Sequence, residues 1–242
     1  MRRIVFAALI LCLASTSFAQ TDSSVKKTVL SPAGVGRSSD HLMLQLGYTT
    51  WLNKPDSINT GGLPRTVNIY FLFDFPFKTN PKWSAAIGAG IGSDNMFFED
   101  TYIGLKENTG TLRFQDLSDT NAFKKYKLNT TFVEIPVELR FQSNPAEPKR
   151  SVKFALGAKV GTMLSATVKG KNFQNKNDQT LINYTLKEKS KRYFNTNRLS
   201  LTGRIGYGNF SLFGSWSATP LIKEGLGPAI RPLTIGLTLS GL

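Results

Sequence analysis

Side chains able to do acid–base or metal chemistry are few in this sequence. It holds one His, His41, and one Cys, Cys12. Zinc sites draw on several Cys and His ligands, so composition excludes a Cys/His zinc centre. An imidazole-based hydrolase would have to use His41 as its general base. That residue sits where a polar leader meets the first strand, at the end away from the long connections. No enzymatic activity and no cofactor are therefore expected. Asp94, Glu99, Asp100, Glu107, Asp116 and Asp119 crowd one connection, but their spacing matches no calcium-loop template. Gly88-Ala89-Gly90-Ile91-Gly92 lacks the spacing of a dinucleotide-binding loop, and no helix follows it.

The informative charges are Asp74, Glu134, Glu138, Arg140, Lys153, Lys159, Arg198 and Arg204. Their chemistry is ion pairing, because each falls between apolar residues spaced two apart. Leu42, Leu44, Leu46 and Tyr48 share one face of a strand, as do Val67, Ile69, Phe71, Phe73 and Phe75 of the next. Trp83 to Ile91, Val133 to Phe141, Val152 to Val160, Leu199 to Tyr207, Phe210 to Trp216 and Leu233 to Leu239 repeat the pattern. The alternation predicts eight strands of about ten residues, enough to cross a bilayer when tilted.

The opposite face carries the eight charges and also Gly88, Gly90, Gly92, Gly157, Gly161, Gly206 and Gly236. Glycine weakens a strand and gains nothing on a water-facing surface. In a narrow lumen it leaves room for a large charged neighbour. The expected fold is therefore all-β, an eight-stranded antiparallel transmembrane β-barrel with lipid outside and charge inside. The charges are expected to form a structural plug of ion pairs, since an unpaired buried charge costs several kcal/mol. A narrow pore or small-solute channel is the alternative. A soluble barrel binding an apolar ligand is another.

Connections alternate in length. Those at 52–65, 93–127, 169–197 and 219–231 are moderate or long. Those at 76–81, 143–150 and 208–209 are short. Outer-membrane barrels place short turns in the periplasm and longer loops outside. Asn108-Thr109-Gly110 divides two β-prone runs of the 93–127 connection; if these entered the wall, the count would be ten strands. Trp51, Trp83, Trp216, Tyr48, Tyr207 and Phe141 are placed for an interfacial aromatic girdle. The 169–197 connection is basic, with Lys169, Lys171, Lys176, Lys187, Lys189, Lys191 and Arg192 against Asp178 and Glu188. It is expected to face lipopolysaccharide or an acidic partner. The formal charge of the chain is +14, but no nucleic-acid-binding pattern accompanies it, so nucleic acid is not an expected partner.

Residues 1–19 read as a signal peptide: Arg2 and Arg3, an apolar run from Ile4 to Ala14, then Ser17-Phe18-Ala19. Residues 20–40 read as a flexible periplasmic leader and 41–242 as the barrel. Export to the outer membrane, and insertion there by the barrel-assembly machinery, follow as expectations.

The run from His41 to Tyr48, the segment Phe132-Val133-Glu134-Ile135-Pro136-Val137-Glu138-Leu139-Arg140-Phe141 and the terminal strand resemble the outer-membrane β-barrel proteins of Bacteroidetes-type bacteria. The PorT-like group is one branch. The resemblance spans residues 41–242 and implies an eight-stranded barrel in the outer membrane. Through the PorT-like branch it also implies a docking role beside a secretion or envelope complex, with an envelope protein as partner. It brings no catalytic motif. Leu242 stands where such barrels commonly end in an aromatic residue.

Overall fold

The structure is a computed structural model that describes residues 42–241. The signal-peptide and leader assignments, Cys12 and His41 lie outside the described residues.

Eleven strands follow one another: β1 Leu42–Leu52, β2 Arg65–Pro76, β3 Trp83–Phe98, β4 Thr101–Ile103, β5 Phe114–Asp116, β6 Ala122–Gln142, β7 Val152–Gln174, β8 Thr180–Lys189, β9 Asn197–Tyr207, β10 Phe210–Ser217 and β11 Arg231–Ser240. A single 3-10 turn, Pro148–Arg150, lies between β6 and β7. The wall runs β6-β3-β2-β1-β11-β10-β9-β7, and β6 pairs with β7 to close it. Every pairing is antiparallel. Eight strands thus form a closed barrel. Closure leaves no edge within the wall, which a sheet in hydrocarbon requires because nothing there can satisfy a free backbone group.

The alternation in sequence becomes inside and outside. Ile69, Phe71, Phe73, Val133, Ile135, Val137, Leu201, Ile205, Leu212 and Leu237 lie exposed on the outer surface. Their sequence neighbours Asn68, Tyr70, Glu134, Glu138, Ser200, Arg204 and Thr238 are buried in the lumen. A soluble barrel would show the reverse, so the reading with an apolar interior is set aside. Among the described residues no helix is long and apolar enough to cross a membrane.

Two irregularities in the wall have local causes. Pairing of β6 with β3 runs through Ile87 and Val137, then resumes at Gly90 and Glu134. The gap contains Pro136, which has no N–H to give to the ladder. Pairing of β6 with β7 shifts between Thr131 and Phe132, which meet Ser165 and Met163 and leave Leu164 as an extra residue. That bulge reverses the facing of β7. Below it Lys153, Ala155, Lys159, Gly161 and Met163 point inward; above it Ala166, Val168 and Gly170 do.

At the other end the turn between β9 and β10 is Gly208-Asn209, with Tyr207 paired to Phe210. Gly208 has φ +60°, which suits a two-residue hairpin loop and favours glycine.

The loop end differs from the sequence expectation. Strands β3 and β6 climb to Phe98 and from Ala122, so the connection there is shorter than 93–127. The two β-prone runs pair only with each other, as β4 and β5, and the wall keeps eight strands. The 169–197 connection is mostly strand: β7 extends to Gln174, and β8 folds back along it as a hairpin attached to the barrel rim. Trp51 is 7% exposed and packs against Phe98 and Phe114, so it belongs to the interior and not to a lipid-facing girdle.

Candidate functional site

The lumen holds two charged clusters, one above the other. The upper one centres on Glu134 of β6, which is 1% exposed. Its Oε2 accepts from the Tyr70 hydroxyl of β2 and from Lys159 Nζ of β7 at 3.1 Å. Its Oε1 accepts from Arg198 of β9, through Nε at 3.1 Å and Nη2 at 2.6 Å. Arg198 Nη1 reaches on to Asp94 Oδ2 of β3 at 2.5 Å, and Thr66 Oγ1 donates to Asp94 Oδ1 at 2.7 Å. The guanidinium also lies over the Phe132 ring, 3.8 Å from its centroid. Two carboxylates and two cations from four strands meet here.

The lower cluster centres on Glu138. Its Oε2 accepts from Arg140 Nε at 2.8 Å and Arg204 Nη2 at 2.9 Å. Arg140 Nη1 lies 3.7 Å from Asp74 Oδ1, which also accepts from Ser84 Oγ at 2.7 Å. Arg204 Nη1 donates to Ser240 Oγ of the last strand at 3.4 Å. Lys153 is buried in the same lumen. Of the eight charges singled out in sequence, seven are thus gathered into these two clusters. Asp94 and Tyr70 complete them. The sequence reading places Asp94 in an acidic connection, yet it continues the parity of Gly88, Gly90 and Gly92 along β3, and that parity is the signal that places it inside.

Glycine makes the geometry feasible at Gly92: a Cβ there would sit 2.8 Å from both Asn68 Oδ1 and Glu134 Oε2. Voids of about 10 Å³ remain beside Thr49, Asp94, Thr130 and Leu221, and beside Asn68, Lys159, Arg198 and Ser215. Each is about the size of one water. Above them an apolar cap closes the loop end. Ile58, Ile103, Leu105, Leu112, Tyr193 and Phe194 pack with Leu221, Ile222 and Ile230 over Met96, Leu128 and Met163. Tyr193 Oη donates to a loop carbonyl, Glu107 O at 2.8 Å or Thr109 O at 3.0 Å, tying two connections together. Partial burial pushes the Tyr102 phenol of β4 above its ordinary value, and the charges of Glu188 and Glu107 add to the effect.

Outside the lumen, the basic residues are spread along the β7–β8 hairpin. Lys169 and Lys171 lie on β7, Lys187 and Lys189 on β8, and Lys176 near the tip. Lys191 donates to Met163 O at 3.3 Å, and Arg192 to Asn108 Oδ1 at 3.4 Å. Glu188 faces the other way and accepts the amides of Leu105 and Lys106 at 2.9 and 3.2 Å. Lys125 and Lys127 of β6 stand next to this group, paired in register with Lys171 and Lys169. Sequence reading missed them by treating 93–127 as loop, although Lys125, Lys127, Asn129, Thr131 and Val133 continue one alternation. A cleft of about 560 Å³ lies by the hairpin tip, lined by both signs: Glu99, Asp100, Lys124, Lys176 and Asp178.

A family model described as "Outer membrane protein beta-barrel domain" matches residues 18–223. No curated protein matches the chain. Among solved structures, the attachment invasion locus protein Ail of Yersinia pestis, in complex with the heparin analogue sucrose octasulfate, is 13% identical with a TM-score of 0.37; the match covers 82% of this chain and 94% of that one. A mutant of the Rh. blastica porin is 6% identical with a TM-score of 0.20, covering 82% and 99%.

Proposed function

From the premise that this chain belongs to the outer membrane protein beta-barrel domain family, we propose that it is a closed, non-enzymatic barrel of the outer membrane that serves as an anchor and docking platform. The observation carrying this is the filled lumen. Ion-pair clusters cross it at two levels, the two voids beside the upper cluster are about one water each, and the apolar cap covers the loop end. Eight strands enclose a space that side chains fill, whereas wide aqueous channels need about twice as many. Residues 1–19 serve export, the short turns face the periplasm, and the long connections face outward. The resemblance to the PorT-like branch carries the finer reading, a place beside a secretion or envelope complex.

Planar-bilayer recording on the purified, refolded full chain tests closure. Membranes with inserted barrel should show no unitary conductance steps. Stable open steps would replace the docking reading with that of a channel. Cross-linking in intact envelopes, with and without the β7–β8 hairpin, tests docking; an unchanged set of captured proteins would remove the hairpin from that role.

A further inference from the structure

We propose that the outer face of the barrel rim formed by β6, β7 and β8 is a docking surface for the phosphate groups of lipopolysaccharide in the outer leaflet. This rests on the reading above that the long connections face outward.

The surface is a set of cross-strand rows. One row is Phe97, Lys127, Lys169 and Lys187, each paired with the next across β3, β6, β7 and β8. The row above it pairs Lys125 with Lys171 and Thr185. The row below pairs Asn129 with Thr167 and Lys189. Six lysines therefore share one face. Arg65 extends it, its guanidinium 5.5 Å from the centroid of the Phe97 ring, and Lys127 Nζ lies 5.5 Å from the same centroid. Among the described residues none of the six lysines is in an ion pair; the carboxylates near this height that could serve, Asp94 and Glu188, face inward to Arg198 and to loop amides.

Like charges directly opposite one another on neighbouring strands destabilise a sheet. Something must offset that repulsion. Protection of an exposed edge accounts for Lys187 and Lys189, because β8 ends the sheet. It does not account for Lys127 and Lys169, whose strands are flanked on both sides. An anion bound across the row does.

Position selects the occupant. The last apolar outward residue of β6 is Val133, 39% exposed. Lys127 lies six residues further, about 15 Å higher for a strand tilted by about 40°. The lysines therefore stand just above the hydrocarbon belt and face sideways over the membrane plane. A partner arriving from solvent would meet the cap and the hairpin tip first. An anion held in the leaflet is already in front of this face. The α-carbons of Lys127, Lys169 and Lys187 span about 10 Å across three strands, a width suited to a phosphorylated sugar.

The test uses the full chain purified in detergent and two probes: lipopolysaccharide with its phosphates, and the same material after enzymatic dephosphorylation. The wild type should bind the phosphorylated form more tightly, and salt should weaken that binding. The variant K127Q/K169Q/K187Q should bind it about 100-fold more weakly, at about fivefold per lysine near an anionic surface. Its fold is checked by the mobility shift between unheated and boiled samples. If it does not fold, K125Q/K171Q in the upper row gives the same reading, and the two-probe comparison needs no variant. Equal binding of the two probes, or a folded variant that binds like wild type, would overturn the proposal. So would tighter binding of polyglutamate, which would point to an acidic protein instead. A negative result with closure intact removes the lipid surface only. Protease cleavage of the hairpin on intact cells tests the orientation separately, and cleavage from the periplasmic side alone would overturn it.

Discussion

Replacing Glu134 with Ala is the sharpest probe of the lumen. The substitution removes the acceptor for Tyr70, Lys159 and Arg198 at once. Two cations then share the single carboxylate Asp94, to which only Arg198 is bonded. Removing one partner from a buried ion pair costs about 3–5 kcal/mol, mostly as the penalty of the stranded charge. Lys159→Met should cost less, about 1–2 kcal/mol, because Glu134 keeps Arg198 and Tyr70. The double variant Glu134→Ala/Lys159→Met strands no lysine. It should therefore be more stable than the sum of its singles predicts, by about 1–3 kcal/mol of coupling. Urea unfolding in lipid vesicles, read by the gel-mobility difference between folded and unfolded barrel, measures all of these. At 1.4 kcal/mol per tenfold, the Glu134→Ala loss corresponds to roughly 100-fold or more in the folding equilibrium. A loss below about 0.5 kcal/mol, or strict additivity in the double variant, would refute the view that these groups form one coupled, desolvated cluster.

Gly90→Val should prevent barrel closure, since a side chain there meets the Ile69 carbonyl and the Tyr70 backbone of β2; the heat-dependent gel shift should be absent. Deleting Leu164 should remove the bulge and leave Lys169 and Lys171 facing outward, because Met163 and Ser165 then sit side by side opposite Phe132 and Thr131; the shifted band should remain, as it should in Leu164→Ala, and its loss in the deletion variant would refute this register.

Most of the wall was legible in the sequence because the membrane imposes a strict two-residue period, and each strand obeys it over its lipid-facing stretch. Strand bounds such as Leu42–Leu52 and Arg65–Pro76, and the Gly208-Asn209 turn, followed from alternation and turn chemistry alone. Legibility ended where the lipid ended. Above the belt the outward face of β6 and β7 turns polar while only the inward face packs in the apolar cap, so Lys125 and Lys127 read as loop although the backbone pairing continues. Trp51 misled for a related reason: an aromatic at a strand end suits either a girdle or a cap, and only its inward parity, shared with Met43, Gln45 and Thr49, separates them. The bulge at Leu164 was not legible at all. It depends on how many residues β6 places opposite β7, which neither strand states alone.

The charged lumen also explains how the barrel fixes its register. A slip of one residue between strands turns every side chain to the other face. In a soluble sheet this exposes apolar residues to water. Here it would carry Glu134, Glu138, Lys159, Arg198 and Arg204 into hydrocarbon, at about 2–4 kcal/mol for each Arg or Lys near the midplane. A slip of two keeps the faces but misaligns the partners. Glu134 would lose Lys159 and Arg198 together, because those cations sit on different strands, β7 and β9, while Tyr70 reaches the same carboxylate from β2. An apolar lumen could resist neither error as strongly, since one aliphatic contact replaces another at little cost. The ion pairs therefore stabilise the native barrel mainly by destabilising its near neighbours. That is why the lumen is built from groups whose transfer out of water is so unfavourable when they are unpaired.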